Sequence, residues 1–231
     1  MTSTCSLWLE GSAGRRYAPL AADIKVDVAV LGGGLTGITC ALLLKQRGLR
    51  VAVLEARELG CEVSGGTTAH ITELVDSRYH RIERDFGREG ARLVARSSRD
   101  AIEHIASWVS AYDLHCGFAR VPAWQYAERE EQLASLEAER EAAMRAGVPI
   151  SSRPAPLPYP VRGAFCAEDQ AQFHPIHYLW PLANEVVGSG SGVYEETRAV
   201  AIDDGEPCRI YTQAGPIVLA DQVVIATHSP L

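Results

Sequence analysis

Residues 26–55 read Val-Asp-Val-Ala-Val-Leu-Gly-Gly-Gly-Leu-Thr-Gly-Ile-Thr-Cys-Ala-Leu-Leu-Leu-Lys-Gln-Arg-Gly-Leu-Arg-Val-Ala-Val-Leu-Glu. An apolar strand, Val26 to Leu31, runs into a glycine turn. An apolar helix follows and ends near Gly48. A second strand, Val51 to Leu54, delivers Glu55. Strand, glycine turn, helix, strand and acid in this order form the dinucleotide-binding βαβ unit. Each part has a physical task. Gly32 permits the tight turn out of the first strand. Gly34 lets backbone approach a pyrophosphate. Gly37 lets the helix pack closely on the sheet. The amides that open the helix, at Leu35 and Thr36, face phosphate with the positive end of the helix dipole. Glu55 stands 18 residues after Gly37, where a carboxylate accepts a ribose hydroxyl.

A membrane span is the competing reading of this stretch, because Val26 to Leu44 carries a single charge, Asp27. Three successive glycines weaken a spanning helix, and β-branched Val28 and Val30 favour a strand, so no membrane span is expected.

Working outward, the chain has 231 residues, 47% of them hydrophobic, and a net charge of −7. That length allows one large domain or two interleaved ones. The acidic balance excludes the basic character of a nucleic-acid or anionic-membrane binder. Arginine outnumbers lysine twenty to two, a compositional bias without functional content. Residues 1 to 23 lack the apolar core of a secretory signal. Arg15-Arg16 mimics a twin-arginine signal, but the run behind it is the first strand. The six cysteines, at 5, 40, 61, 116, 166 and 208, have neither zinc nor disulfide-scaffold spacing. They read as reduced thiols of a cytoplasmic protein, with Cys40 in the core.

Residues 1 to 24 read as an irregular N-terminal arm whose Trp8 packs on the domain surface. After Glu55 comes a small, polar, glycine-bearing loop through His70, suited to close approach of a ligand. Residues 76 to 147 read as mostly helical, with Gly87 and Gly90 dividing a first stretch in two. A later helix from about Glu128 to Ala146 stops at Gly147. Arginines at 78, 81, 84, 88, 92, 96 and 99 form a stripe. We read it as a solvated face stitched by pairs such as Arg81–Asp85, Arg96–Asp100 and Arg99–Glu103, in preference to an anion site. The prolines at 154, 156, 158 and 160 mark a rigid connector. A helix from Pro175 to Gly188 follows. Short strands are expected at 192–195, 199–202, 209–212, 217–219 and 222–226. His174 and His177 form a His-x-x-His pair, but Pro175 lies between them and no acidic ligand follows, so no metal site is expected. A plain dinucleotide dehydrogenase would continue β-α-β-α after Glu55. The long helical insertion is instead typical of two-domain flavoproteins.

At these residues the chain resembles the D-amino-acid-oxidase-like FAD-dependent oxidoreductases, the group of glycine, sarcosine and γ-glutamylputrescine oxidases. It resembles most a bacterial subgroup that often carries a C-terminal Rieske domain. The resemblance rests on Gly32 to Glu55, Glu55-Ala-Arg-Glu-Leu-Gly, Ser64-Gly-Gly-Thr-Thr-Ala-His, Gln172-Phe-His-Pro and the segments Thr197 to Ile202 and Val223 to Thr227. It implies an α/β fold: a Rossmann-like FAD-binding domain with an inserted helical/α+β segment belonging to an incomplete substrate domain. In this reading residues 1–24 are the arm, 25–80 the first part of the FAD domain, 81–165 the mostly helical insertion and 166–231 the return to the FAD domain.

The resemblance also implies FAD as cofactor, held by Gly32, Gly34, Leu35, Thr36, Gly37, Glu55, Ala56, Arg57, Ser64, Gly65, Thr67, Thr68, Val200, Ala226 and Thr227. Arg57 would lie beside the adenosine. Val200 would meet the adenine end through its backbone. Ala226 and Thr227 would lie near FAD where the chain leaves its strand. Some members attach FAD through a histidine in this loop; His70 is displaced by a couple of residues, and non-covalent binding is expected. The implied reaction is oxidation of a C–N bond of an amine or amino acid by hydride transfer to flavin. The implied partners are that small-molecule substrate and, in the full-length protein, a Rieske domain; the Rieske ligand set itself is absent from this sequence. Relatives continue well beyond Leu231, so the chain is expected to be an N-terminal fragment, and no catalytic residue is assigned within it. The alternatives are an NAD-dependent dehydrogenase, which the segments around Val200 and Ala226–Thr227 disfavour, and a non-catalytic dinucleotide-binding fragment.

Overall fold

The computed structural model describes residues 6–10 and 17–228. Cys5, Arg15 and Arg16 lie outside the described residues. In chain order the elements are β1 (Ile24–Leu31), α1 (Leu35–Gln46), β2 (Val51–Leu54), β3 (His70–Ile71), α2 (Tyr79–Ala111), β4 (Ala119–Ala127), α3 (Leu133–Ala146), β5 (Ile150–Ser151), β6 (Gly163–Gln172), α4 (Pro175–Val186), β7 (Gly192–Tyr194), β8 (Ala199–Asp203), β9 (Cys208–Thr212) and β10 (Ile217–Ile225). They form two compact units. One takes in the chain up to Thr68, Leu114–Cys116 and the chain from His174; the other takes in Ala69–Asp113 and Gly117–Phe173.

The first unit is built on a six-stranded sheet of order β7-β2-β1-β10-β9-β8. The first four strands are parallel, and β10, β9 and β8 are antiparallel. Four consecutive buried residues make β2, and the last four residues of β1 are buried as well. Such uninterrupted apolar runs are the signature of parallel strands covered on both faces. The core joins Val26, Ala29 and Leu31 of β1 to Ala52 and Leu54 of β2, Ile210 of β9 and Val218 and Ala220 of β10. Helix α1 packs on α4. The two short strands expected at 217–219 and 222–226 are one nine-residue strand, β10. From Val218 onward it follows β1 in parallel register, from Ile24 opposite Val218 to Leu31 opposite Ile225.

Residues 76 to 147 are mostly helical, in α2 and α3, as expected, but the strand β4, which the sequence reading does not include, lies between the two helices. Strands β3, β4, β5 and β6 form an antiparallel sheet in which β6 pairs with each of the others. The strand at 119–127 alternates weakly, since most of its side chains are half-buried, so period-2 patterning does not announce it. Helix α2 bends at Gly87, whose φ of 73° and ψ of 174° leave the helical region, as a divider there requires. Gly90 sits inside the helix. Helix α3 ends at Gly147 in the left-handed region, φ 98°, as expected. Alanines 91, 95, 142, 143 and 146 bring α2 and α3 close together around Tyr79 and Ile82.

The arginine stripe on α2 is distributed among several acids. Arg96 pairs with Asp100 at 3.7 Å, but Arg99 turns to buried Glu73 at 2.7 Å, and Glu103 pairs with Arg120 at 2.8 Å. Buried Glu73 outcompetes Glu103 because Arg99 also reaches the carbonyl of Gly147 at 3.0 Å. The five described cysteines are free thiols, and burial raises the pKa of Cys40. No described helix is long and apolar enough to cross a membrane.

Candidate dinucleotide site

The parallel strands β1, β2 and β10 end side by side, and their carboxyl ends open into a cavity of about 670 Å³. Ligands of open α/β sheets bind at such strand ends. Helix α1 begins there at Leu35. Its N-cap is Gly34, which offers no side chain, and its first turn carries no acid. The helix itself therefore places no charge at its positive end, which opens toward the cavity.

The glycines earn their places by contact. Gly32 has φ +111°, and a Cβ there would stand 2.5 Å from the carbonyl oxygen of Ala226. Gly37 is closed more tightly: a Cβ would lie 1.9 Å from the carbonyl oxygen of Gly32. The helix thus rests directly on the turn. At Gly34 the nearest atom to a Cβ would be Ser64 Oγ, at 2.9 Å. That hydroxyl already accepts the Leu35 N–H at 3.0 Å. A polar side chain from the glycine loop therefore stands at the first amide of α1.

Glu55 leaves β2 and folds back on the turn. Its Oε2 accepts the Gly33 N–H at 2.7 Å and its Oε1 the Arg57 N–H at 2.8 Å. Each carboxylate oxygen keeps a second lone pair for a hydroxyl donor. Beyond Glu55 the chain is held by the segment leaving β7. The Thr197 N–H donates to the Glu55 carbonyl, and the Glu196 N–H donates to the Arg57 carbonyl, both at 2.8 Å. The Arg57 guanidinium pairs with Glu62 on the cavity wall. Across from it β8 contributes Val200, which is 53% exposed. The Ala226 N–H donates to the Leu31 carbonyl at 2.8 Å, which fixes the end of β10 against β1.

Of the residues expected from the sequence, Gly32, Gly34, Leu35, Thr36, Glu55, Ala56, Arg57, Ser64, Val200, Ala226 and Thr227 come together on the cavity wall. Gly37 stands behind the turn. Gly65, Thr67 and Thr68 follow Ser64 in the loop but do not line the wall. His70 lies in β3 of the second unit with its side chain exposed. His174 caps α4, its Nδ1 accepting the His177 N–H at 3.2 Å, and the two rings stack at 3.7 Å. No group of metal-binding character occurs among the described residues.

The sequence reading missed Gly60, Cys61, Glu62, Val63, Arg198 and Ala199, all on the wall. Only their adjacency to expected residues could have marked them. It also missed Glu195. This buried carboxylate accepts the Tyr17 N–H at 2.6 Å and the Leu59 N–H at 2.8 Å, so it anchors the segment from which the wall is built. No sequence pattern announces it, because its partners lie 178 and 136 residues away.

The helix N-terminus that opens on the cavity, the close glycine turn and the carboxylate with free lone pairs suit the adenosine diphosphate part of a dinucleotide. The chain is also similar to known proteins. Over 215 residues it is 32% identical to the putative Rieske 2Fe-2S iron-sulfur protein YhfW of Bacillus subtilis, covering 93% of this chain and 42% of that one. Over 243 residues it is 28% identical to γ-glutamylputrescine oxidoreductase of Escherichia coli, covering 100% of this chain and 56% of that one. The chain thus spans about half the length of these curated relatives. Its fold matches glycine oxidase from Geobacillus kaustophilus with a TM-score of 0.69 at 21% identity, covering 87% of this chain and 55% of that one. Residues 27–229 match the DAO family of FAD dependent oxidoreductases, and the chain belongs to that family.

Proposed function

We propose that this chain is the FAD-binding portion of an oxidoreductase that oxidises the C–N bond of a small amine or amino acid. The carrying observation is the joint placement of the α1 N-terminus, with Ser64 Oγ at its first amide, and the Glu55 carboxylate in one cavity at the ends of β1 and β2. The α1 amides would hold the pyrophosphate, with Ser64 Oγ turning from acceptor to donor toward a phosphate oxygen. Glu55 would accept the ribose hydroxyls, and Arg57 and Val200 would flank the base. Ala226 and Thr227 would guide the remainder of the cofactor past β10. When bound, FAD supplies the two-electron acceptor for a hydride from the carbon next to nitrogen. The chain's own residues bind and orient it there.

The substrate class is supported by γ-glutamylputrescine oxidoreductase and glycine oxidase among the similar proteins. In this reading the first unit is the cofactor domain and the second begins the substrate domain. A Rieske domain in the whole protein is supported by the name of the Bacillus subtilis relative. Free thiols support the cytoplasm as its place.

The test is a visible absorption spectrum of the purified chain before and after adding FAD. Flavin bands that stay with the protein through desalting are expected. A colourless protein that leaves the spectrum of added FAD unchanged would overturn the reading.

A further inference from the structure

The loop carrying Ser64 is pinned from an unexpected direction. Residues 6–10 form a tight turn, in which the Leu9 and Glu10 N–H groups donate to the Ser6 carbonyl at 3.0 and 3.1 Å. The Trp8 N–H donates to Ser6 Oγ at 3.2 Å. This turn lies along the glycine loop and bonds to it twice. Ser6 Oγ donates to the Gly65 carbonyl, and Trp8 Nε1 donates to the Thr67 carbonyl at 2.7 Å. Leu9 packs where position 65 has no side chain, its Cδ1 3.2 Å from the place of a Cβ. The indole of Trp8 is in turn set edge-on to the His174 ring, centroids 5.1 Å apart. His174 is fixed by its own cap on α4 and by its N–H, which donates to the Cys116 carbonyl at 2.7 Å.

The chain of contact therefore runs from α4 through Trp8 to the loop, and from the loop through Ser64 Oγ to the first amide of α1. The loop has no regular secondary structure of its own between Cys61 and Thr68. A loop without a ladder must be ordered by what it bonds to, and ordering it in advance removes that cost from ligand binding. We propose that Ser6–Leu9 is a strap, and that Trp8 is a positioning residue which holds Ser64 at the anion-binding end of α1. The proposal rests on the dinucleotide reading of the cavity. It adds that affinity depends on a residue more than fifty positions from the loop and outside the βαβ unit.

The experiment is a double-mutant cycle on the full chain, with ADP and FAD as probes, read by titration calorimetry and by stopped-flow displacement. Trp8→Ala is expected to raise the ADP dissociation constant about tenfold, chiefly through faster release. Ser64→Ala is expected to do the same. The double variant is expected to be no weaker than the weaker single one, because both act through the same hydroxyl. Trp8→Phe keeps the ring and loses the N–H; a loss of about threefold is expected there, and this variant carries the test where Trp8→Ala fails to fold.

Fold-losses that multiply in the double variant would overturn the strap, since Trp8 would then contribute only general stability. Wild-type affinity in both Trp8 variants would overturn it as well. A wild-type chain that binds neither ADP nor FAD would overturn the dinucleotide reading and the strap with it. Binding by the wild type with unaffected Trp8 variants removes the strap alone.

Discussion

At the scale of single residues, Glu55 shows how one carboxylate serves both the fold and the site. Its two oxygens hold the amides of Gly33 and Arg57, at 2.7 and 2.8 Å, and so shape the turn that faces the cavity. Its remaining lone pairs are what a ribose would use. Glu55→Ala is expected to weaken ADP binding by about 1.5–3 kcal/mol, the worth of a hydrogen bond to a charged group. Calorimetric titration checks this, with far-UV circular dichroism as the control for the fold. Equal affinity in the variant would remove Glu55 from the site. Glu195 plays a quieter part, since it holds backbone on two sides and reaches no ligand position itself.

At the scale of elements, helix starts are supplied with partners from elsewhere. Helix α2 has no side-chain cap of its own, with Arg78 at its N-cap position. Glu139 of α3, fully buried, accepts the N–H groups of Tyr79 at 2.9 Å and His80 at 3.1 Å. Glu139→Ala would leave a buried amide unpaired, at a cost of about 1–3 kcal/mol. A lower urea midpoint is expected, while an unchanged one would show that α2 starts independently of α3.

Helix α4 instead starts with a titratable cap. His174 Nδ1 accepts the His177 N–H, and burial, followed by the nearby His177, holds the imidazole pKa below its ordinary value of 6.5. A basic group with a depressed folded pKa favours the folded state while neutral. Its contribution is complete above pH 6.5 and fades as the pH falls through the folded value. Asparagine keeps a capping acceptor and does not titrate. His174→Asn is therefore expected to flatten the stability profile just below pH 6.5, as read by urea unfolding at closely spaced pH values. A wild-type slope in that variant would place the titration elsewhere.

Across the whole molecule, the many arginines are matched by carboxylates on the surface. Arg50 holds Asp27, Arg84 holds Asp85, Arg145 and Arg88 hold Glu83, and Arg140 holds Glu137. In each case the hydrogen bond from the guanidinium lowers the carboxyl pKa below its ordinary 3.8 or 4.5. Acids with depressed folded values stabilise the fold above their unfolded pKa and lose that contribution as the pH drops through the folded one. The main acid limb should therefore begin below pH 4.5 and continue past 3.8, with only the shallow His174 step above it. The urea midpoint followed from pH 8 to pH 2 measures this. A steep loss already complete at pH 5 would contradict it.

The sequence by itself determined the βαβ unit, its glycine turn and Glu55, because these depend on neighbours within about thirty residues. Local spacing there dictates a strand, a glycine turn and an apolar helix. It also marked Gly87 and Gly147, where the backbone conformation itself calls for glycine. Only the tertiary structure decided the antiparallel sheet of the second unit. The half-buried pattern of β4 becomes a strand through pairing with β6, more than thirty residues on. Tertiary structure likewise decided that Arg99 serves Glu73, that Glu195 braces the cavity wall and that Trp8 reaches Thr67. Those partners are distant along the chain, and a hydrogen bond between distant residues leaves no period in the sequence. It exists only once the core has brought the two segments together.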